Sequence, residues 1–161
     1  MFESVPTWFW IFFTSMIPWW ESRYAIPMSM LYFNWEWWQA LPIAVIGNML
    51  PIPFILLFFH MVEKFLRNYK FWTKIMDWLF ERTRRRADSK IRKYEYFGLI
   101  LFVAIPLPFT GAWTGALIAY LFDLKFTKSI ITIFIGVIIA AFIMIIITLT
   151  FGNIFGYNLN G

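Results

Sequence analysis

The chain has 161 residues, of which 61% are hydrophobic, 23% aromatic and only 14% charged, with a formal net charge of +5. Soluble domains average about 45–50% apolar and about 25% charged residues, and a domain of this size buries only about 60–70% of the surface that its unfolded chain exposes. The composition therefore excludes an ordinary soluble globule and predicts a single-domain integral membrane protein. The absence of cysteine excludes disulfides and thiolate chemistry.

The first apolar segment, residues 5–20, is interrupted by Pro18 and is too short to cross a bilayer core, which requires about 20 helical residues. Glu21 and Arg23 follow, and we expect regular helix to resume only after Pro27. Residues 5–33 therefore predict a re-entrant hairpin, a short helix in, a non-helical tip and a short helix out. Irregular backbone at membrane depth is tolerated where protein or water surrounds it, so the tip indicates a transport site.

The next segment, residues 35–59, is long enough to span the membrane and completes a first repeat over residues 1–60. Its prolines at 42, 51 and 53 predict kinks. Asn48 lies in the middle of this span, where its amide either bonds to the kinked backbone or lines the pathway. His60 stands alone at the end of the span, so we predict no metal site and no cofactor.

Residues 61–95 form a basic bridge between the two apolar halves. Residues 62–97 hold eleven of the fourteen Lys and Arg residues against five acidic residues, a net charge of +6. Apolar residues recur at helical spacing from Phe58 to Leu79, which predicts an amphipathic helix on the cytoplasmic, anionic membrane surface. We expect Arg84, Arg85 and Arg86 to contact lipid head groups, and not nucleic acid, because membrane segments adjoin them.

The second half repeats the pattern of the first over residues 96–151. Within residues 96–122, the stretch "IPLPFTGAW" ends one short helical segment and another follows it, which predicts a second re-entrant hairpin. Residues 126–151 predict a second span, and residues 152–161 a short tail. Lys125 and Lys128 place the exit of this hairpin in the cytoplasm, so both termini lie outside. The predicted fold is therefore all-α, with two oppositely oriented repeats.

Three stretches resemble a known family. They are "ESRYAIP" (residues 21–27), "GNMLPIPF" (residues 47–54) and "AIPLPFTGAWTGALIA" (residues 104–119), and they are similar to the small multidrug export protein family of bacteria and archaea. That family looks like a distant relative of the DedA/VTT membrane transporters. The resemblance implies export across a bacterial or archaeal plasma membrane. Residues 106–113 contain no acid, where typical DedA proteins carry an acidic motif in the second hairpin.

Glu21 and Arg23 are the first candidate site residues, because a charge kept inside a membrane costs at least about 2.5–3.5 kcal/mol. Arg23 would hold a phosphate or carboxylate in bidentate fashion. Glu21 would be a proton-linked switch that releases Arg23 when it is neutralised. Two structural alternatives remain: the two residues pair and pin the tip, or they lie at the water-facing interface.

Further candidates line the two tips. Prolines end helices and free carbonyl groups, while the N-termini of half-helices present N–H groups that cradle anions. Hydroxyl groups, a close backbone approach and an indole N–H add to the second tip. The alternatives are turns shaped by proline, and close helix packing through the Gly111–Gly115 spacing. The candidates of this kind are Pro27, Pro106, Pro108, Thr110, Gly111, Trp113 and Thr114.

Together these features predict a small transporter that moves an amphiphilic, anionic substrate by alternating access with proton coupling. An enzyme is not expected, because the sequence lacks a phosphate loop, a metal-ligand cluster and a nucleophile–base arrangement. Membrane lipids are expected partners. A homodimer is also predicted, because a monomer with so few spans would leave its polar tips poorly enclosed. Two alternatives stay open: an uncoupled lipid scramblase, and a non-transport scaffold that uses the basic bridge.

Overall fold

The structure, a computed structural model, describes residues 6–66, 89–107 and 110–154, and this part of the chain contains helices and no strand. Two stretches are long and apolar enough to cross a membrane, Trp37–Phe59 and Phe126–Gly152. The predicted all-helical fold is thereby confirmed for the described residues, and both predicted spans correspond to candidate membrane spans. The helices are α1 (Thr7–Met16), α2 (Glu21–Tyr32), α3 (Trp37–Met49), α4 (Pro51–Leu66), α5 (Ser89–Ala104), α6 (Ala112–Leu121) and α7 (Phe126–Ile154).

Many large apolar side chains lie on the outside of the protein. In α7, Phe134, Phe142 and Ile146 are exposed, while the small residues Ala140 and Ala141 are buried. The buried residues of the chain also include serines, threonines, an asparagine and a glutamate. Small residues let backbones approach closely, and lipid covers an apolar exterior at no cost. The fold therefore suits a bilayer as solvent.

Residues 37–66 form one interrupted helical segment. A capping box begins it, because the Glu36 side chain accepts from the backbone of Gln39, and the Gln39 side chain accepts from the Glu36 N–H at 3.2 Å. Leu50 separates α3 from α4, immediately before Pro51. Pro42, by contrast, lies inside α3 and does not end it. The sequence predicted kinks at these prolines, and α4 begins at one of them, although Leu50 itself keeps helical dihedral angles and donates to the Ile46 carbonyl.

The prediction that helix resumes only after Pro27 is wrong. The break between α1 and α2 covers only residues 17–20, and α2 begins at Glu21 and runs through Pro27. A proline inside a helix removes one N–H, and neighbouring hydroxyl groups can bond to the disturbed backbone. Here the Ser29 hydroxyl donates to the Ile26 carbonyl at 2.7 Å. Glu21 and Arg23 therefore lie on the first turn of a helix instead of in an irregular tip.

The helices pack in two similar groups. In the first half α1 contacts α2 and α3, and in the second half α5 contacts α6 and α7. Four pairs of the described helices join the halves: α2, α3 and α4 each contact α7, and α4 also contacts α6. A single buried core crosses the junction and includes Ile26, Ile52, Val103 and Ile133. This packing brings the α1–α2 break close to the α5–α6 break.

Several predicted features lie outside the described residues. They include residues 67–88, which make up most of the basic bridge and contain Arg84, Arg85 and Arg86, and also Pro108 in the second tip. At the edge of the bridge, α4 continues to Leu66, beyond the predicted end of the span at residue 59. Phe58 and Phe65, two members of the predicted apolar stripe, are exposed on this part of α4.

Substituting Gly136 by alanine is expected to destabilise the fold by about 1–3 kcal/mol, the usual cost of overpacking. A Cβ at this position would lie 2.7 Å from Val103 Cβ and 3.1 Å from the Ile100 carbonyl oxygen. Thermal unfolding in detergent measures the loss. The G136A/V103A double variant should be more stable than the two separate losses predict, since the valine supplies the clash. Simple additivity of the two losses would contradict this account.

Candidate functional site

The candidate site lies where the two helix breaks meet. We call residues 17–20 the first break and residues 105–111, described except for 108 and 109, the second break. A cavity of about 100 Å³ lies between them. It contains four predicted site residues, one of which is buried, and its lining residues are Pro18, Trp19, Glu21, Arg23, Pro106, Leu107 and Thr110. The two halves of the chain therefore build one polar cavity.

The carboxylate of Glu21 lies at the N-terminus of α6. The side chain is 4% exposed, and the backbone N–H groups of Ala112 and Trp113 face it as hydrogen-bond donors. The N-terminus of a helix carries partial positive charge and unpaired N–H groups, which together bind anions. Glu21 also has φ +46°, a left-handed conformation that is rare for this residue type. Its backbone is thus strained where its carboxylate is held.

Gly111 makes this contact possible. It is the N-cap of α6, with φ +152°, and a Cβ built there would lie 2.6 Å from Oε1 and 2.7 Å from Cδ of Glu21. Any other residue would push the carboxylate away. The Gly111–Gly115 spacing therefore does not act as a single packing motif: Gly115 packs against Val103, whereas Gly111 accommodates a side chain from the other half.

Arg23 bonds to the other side of the second break. Its guanidinium group donates to the Leu107 carbonyl, and through Nη2 to the Val103 carbonyl at 3.5 Å. Val103 belongs to the last turn of α5, whose carbonyl groups form the negative end of the helix. In a continuous helix the Leu107 N–H would donate to the Val103 carbonyl. Here it donates to the Ile105 carbonyl at 2.9 Å, so the Val103 carbonyl can accept from Arg23. The Nε atom of Arg23 is buried and has no partner.

Glu21 and Arg23 thus cap opposite ends of the second break. The carboxylate meets the positive end of α6, and the guanidinium group meets the last turn of α5. The pinning alternative raised by the sequence takes a different form in the structure. The two side chains attract each other, but the hydrogen bonds of Arg23 go to Leu107 in the second break and to Val103 at the end of α5, and not to Glu21.

Asn48 supports Glu21 from behind the cavity. It is 1% exposed, its Nδ2 donates to the Ser22 hydroxyl at 3.3 Å, and its side chain also bonds to Glu21. Its Oδ1 is buried without a partner. One alternative from the sequence was that Asn48 lines the transport pathway. In the structure it does not line the cavity, but it contacts Glu21, which does. Ser22 was not predicted, and its position between two charged residues was the only signal for it.

The remaining candidates divide between structural and lining positions. Thr110 lines the cavity and holds the second break together, with its Oγ1 2.7 Å from the Ile105 oxygen and 2.8 Å from the Leu107 oxygen. The Trp113 indole donates to the Met16 carbonyl at 3.2 Å, which ties α6 to the end of α1.

Two further candidates lie outside the cavity lining, as do Asn48, Gly111 and Trp113. The Thr114 hydroxyl bonds back to the Gly111 carbonyl at 3.4 Å, and Pro27 lies farther along α2. Neither residue is part of the cavity lining. Among the residues that the structure describes, no group of three or more metal-ligating side chains occurs.

Comparison with protein families gives one match. A family described as "putative small multi-drug export protein" matches residues 21–143, from Glu21 through both breaks and into α7. Comparisons with curated proteins and with solved structures give no match. The matched region covers most of the chain and contains the described residues of the cavity other than Pro18 and Trp19. The chain therefore belongs to the small multi-drug export protein family.

Proposed function

We propose that the protein is a small exporter of anionic amphiphiles, with Arg23 as the residue that binds the anionic head group. The observation that carries this proposal is the polar cavity between the two breaks, to which each half contributes lining residues. Arginine binds phosphate and carboxylate through its planar fork of donors. The half-buried Arg23 lines the cavity, where a head group would compete with the Leu107 and Val103 carbonyl groups for the donors of this fork.

The helix lengths support two re-entrant hairpins. α1 and α6 each have ten residues, and ten helical residues reach only about 15 Å, half of the about 30 Å of a bilayer core. The contacts of α2 with α7 and of α4 with α6 are reciprocal between the halves, as an inverted repeat requires. In this proposal both breaks lie near the middle of the membrane, the basic bridge is cytoplasmic, and both termini are outside.

The proposed transport cycle alternates the access of this cavity between the two sides of the membrane. Glu21 couples the cycle to protons, because its carboxylate lies in a buried position and lines the same cavity as Arg23. Protonation would remove the charge that the N-terminus of α6 holds, and so loosen the contact between the breaks. We also propose a homodimer, in which a second copy helps to enclose the cavity.

Proton flux in proteoliposomes tests this function. Vesicles carrying a pH gradient receive candidate lipid phosphates and amphiphilic drugs in turn, with the wild type and Glu21→Gln measured in parallel. We expect substrate-dependent proton flux in the wild type and at least a tenfold loss in E21Q. Asp123→Asn is the matched control, because Asp123 is exposed and has φ +51°, a conformation that asparagine tolerates.

Other outcomes would favour the two alternative functions. Lipid movement that is independent of pH and unchanged in E21Q would indicate an uncoupled scramblase. No flux with any substrate, together with a cellular function that depends on Arg84, Arg85 and Arg86 but not on Glu21, would indicate a scaffold. Either result would contradict the proposed coupled export.

A further inference from the structure

We propose that Glu21 is a built-in competitor of the substrate, whose carboxylate occupies the anion site formed by the N-terminus of α6 and Arg23 and is displaced by the anionic head group. This inference rests on the proposed function, because it concerns the same cavity. It adds the identity of the second anion-binding element, α6, and it assigns Glu21 a role that does not depend on protons.

The position of the carboxylate is that of a bound anion. It lies against Gly111, where the absence of a Cβ provides the space, and it faces the N–H groups of Ala112 and Trp113. A substrate oxyanion would need the same space and the same donors. The backbone of Glu21 has φ +46°, a left-handed conformation that is rare for a residue with a side chain of this size.

Two unpartnered polar groups lie at the carboxylate and in the cavity wall. Asn48, which is 99% buried, bonds to Glu21 through its side chain but leaves its Oδ1 without a partner. The buried Nε of Arg23 also lacks a partner, although Arg23 lines the cavity next to Glu21. Buried polar groups are normally paired. The Arg23 Nε is thus a donor that the carboxylate of Glu21 leaves unused and that a bound oxyanion could accept from, whereas the Asn48 Oδ1 is an acceptor and adds nothing to anion binding.

The chemistry of the site defines the ligand class. The about 100 Å³ of cavity holds about three water molecules, and displacement of the Glu21 side chain would enlarge it. An N–H pair at a helix terminus together with a planar guanidinium group suits a tetrahedral or planar oxyanion. We therefore expect a phosphate or carboxylate group, either free or as the head group of an amphiphile.

Binding measurements on the purified protein in detergent test the competition. Inorganic phosphate and dodecyl phosphate are titrated calorimetrically into the wild type, Glu21→Ala and Glu21→Gln at constant pH and salt. Removal of the competitor is expected to tighten dodecyl phosphate binding at least tenfold in E21A. E21Q, which keeps the size but not the charge of the side chain, should bind with intermediate affinity, and the exposed-site control D123N should match the wild type.

Equal affinity in the wild type, E21A and E21Q would overturn the proposal, as would weaker binding or no binding in the variants. If E21A does not fold, E21Q alone decides, because its amide preserves the packing. Tightening for both ligands would support a site for the free oxyanion, and tightening for dodecyl phosphate alone would support a lipid head group.

Failure of the competition and failure of the transport function remain distinguishable. Tight binding by E21A without transport by the wild type would refute export while supporting the competition. Proton-coupled transport by the wild type with unchanged affinity in E21A would support export and refute the competition.

Discussion

Substituting Arg23 by alanine is expected to reduce transport at least about tenfold, because a hydrogen bond to a charged group contributes about 1.5–3 kcal/mol. Among the residues that the structure describes, Arg23 is the basic residue that lines the cavity between the breaks. Without it, the head group would keep only the N–H groups of α6 as donors. Uptake of a labelled lipid phosphate into proteoliposomes measures the effect.

Arg23→Lys separates binding from folding in this experiment. Arg23 also donates to the Leu107 and Val103 carbonyl groups, so alanine removes structural bonds worth about 1.5–3 kcal/mol each when the donor is charged. Lysine retains the charge and can bond to one carbonyl, but it lacks the bidentate fork. We expect R23K to unfold near the wild-type temperature and to transport at an intermediate rate. Wild-type transport by R23A would refute the assignment of Arg23.

Substituting Gly111 by alanine is expected to have the second largest effect, a loss of both stability and transport. The new Cβ would overlap the Glu21 carboxylate, and alanine would have to adopt φ +152°, which L-residues rarely do. Displacing a buried carboxylate from its donors leaves an uncompensated charge, at a cost of about 3 kcal/mol or more. The thermal midpoint of unfolding in detergent should fall accordingly.

Gly98 provides the matched control for this substitution. It lies within α5, and a Cβ built there meets nothing within 4 Å. Gly98→Ala is therefore expected to be neutral, or to stabilise the helix by about 0.5–1 kcal/mol. The double variant G111A/E21A should recover part of the loss in G111A, since the overlapping carboxylate is gone. A wild-type unfolding temperature for G111A would contradict the close contact between the breaks.

The sequence singled out four residues that meet in the structure. Glu21, Arg23 and Pro106 were chosen because charges and prolines in an apolar chain are costly and therefore informative, and Thr110 was chosen for its hydroxyl group. All four line the same cavity. The two long spans were predictable for a simpler reason, since length and hydropathy alone determine them.

The bonding within the site was not predictable from the sequence. Pro27 was expected to delay the start of α2, but it lies inside this helix, which begins six residues earlier. Gly111 fits a packing motif and instead accommodates Glu21. The bond from Trp113 to Met16 joins residues 97 positions apart. Neither periodicity nor local spacing reports contacts of such long range.

The contacts of Glu21 with the N-terminus of α6 and of Arg23 with the last turn of α5 also limit how this site can evolve. An ordinary ion pair survives an exchange of its two partners, because each side chain supplies its own counter-charge. Here the partners of both residues are helix ends, whose polarity follows from the direction of the peptide chain and cannot be inverted by any substitution. A site with the two residues exchanged, arginine at position 21 and glutamate at position 23, is therefore inaccessible to this fold.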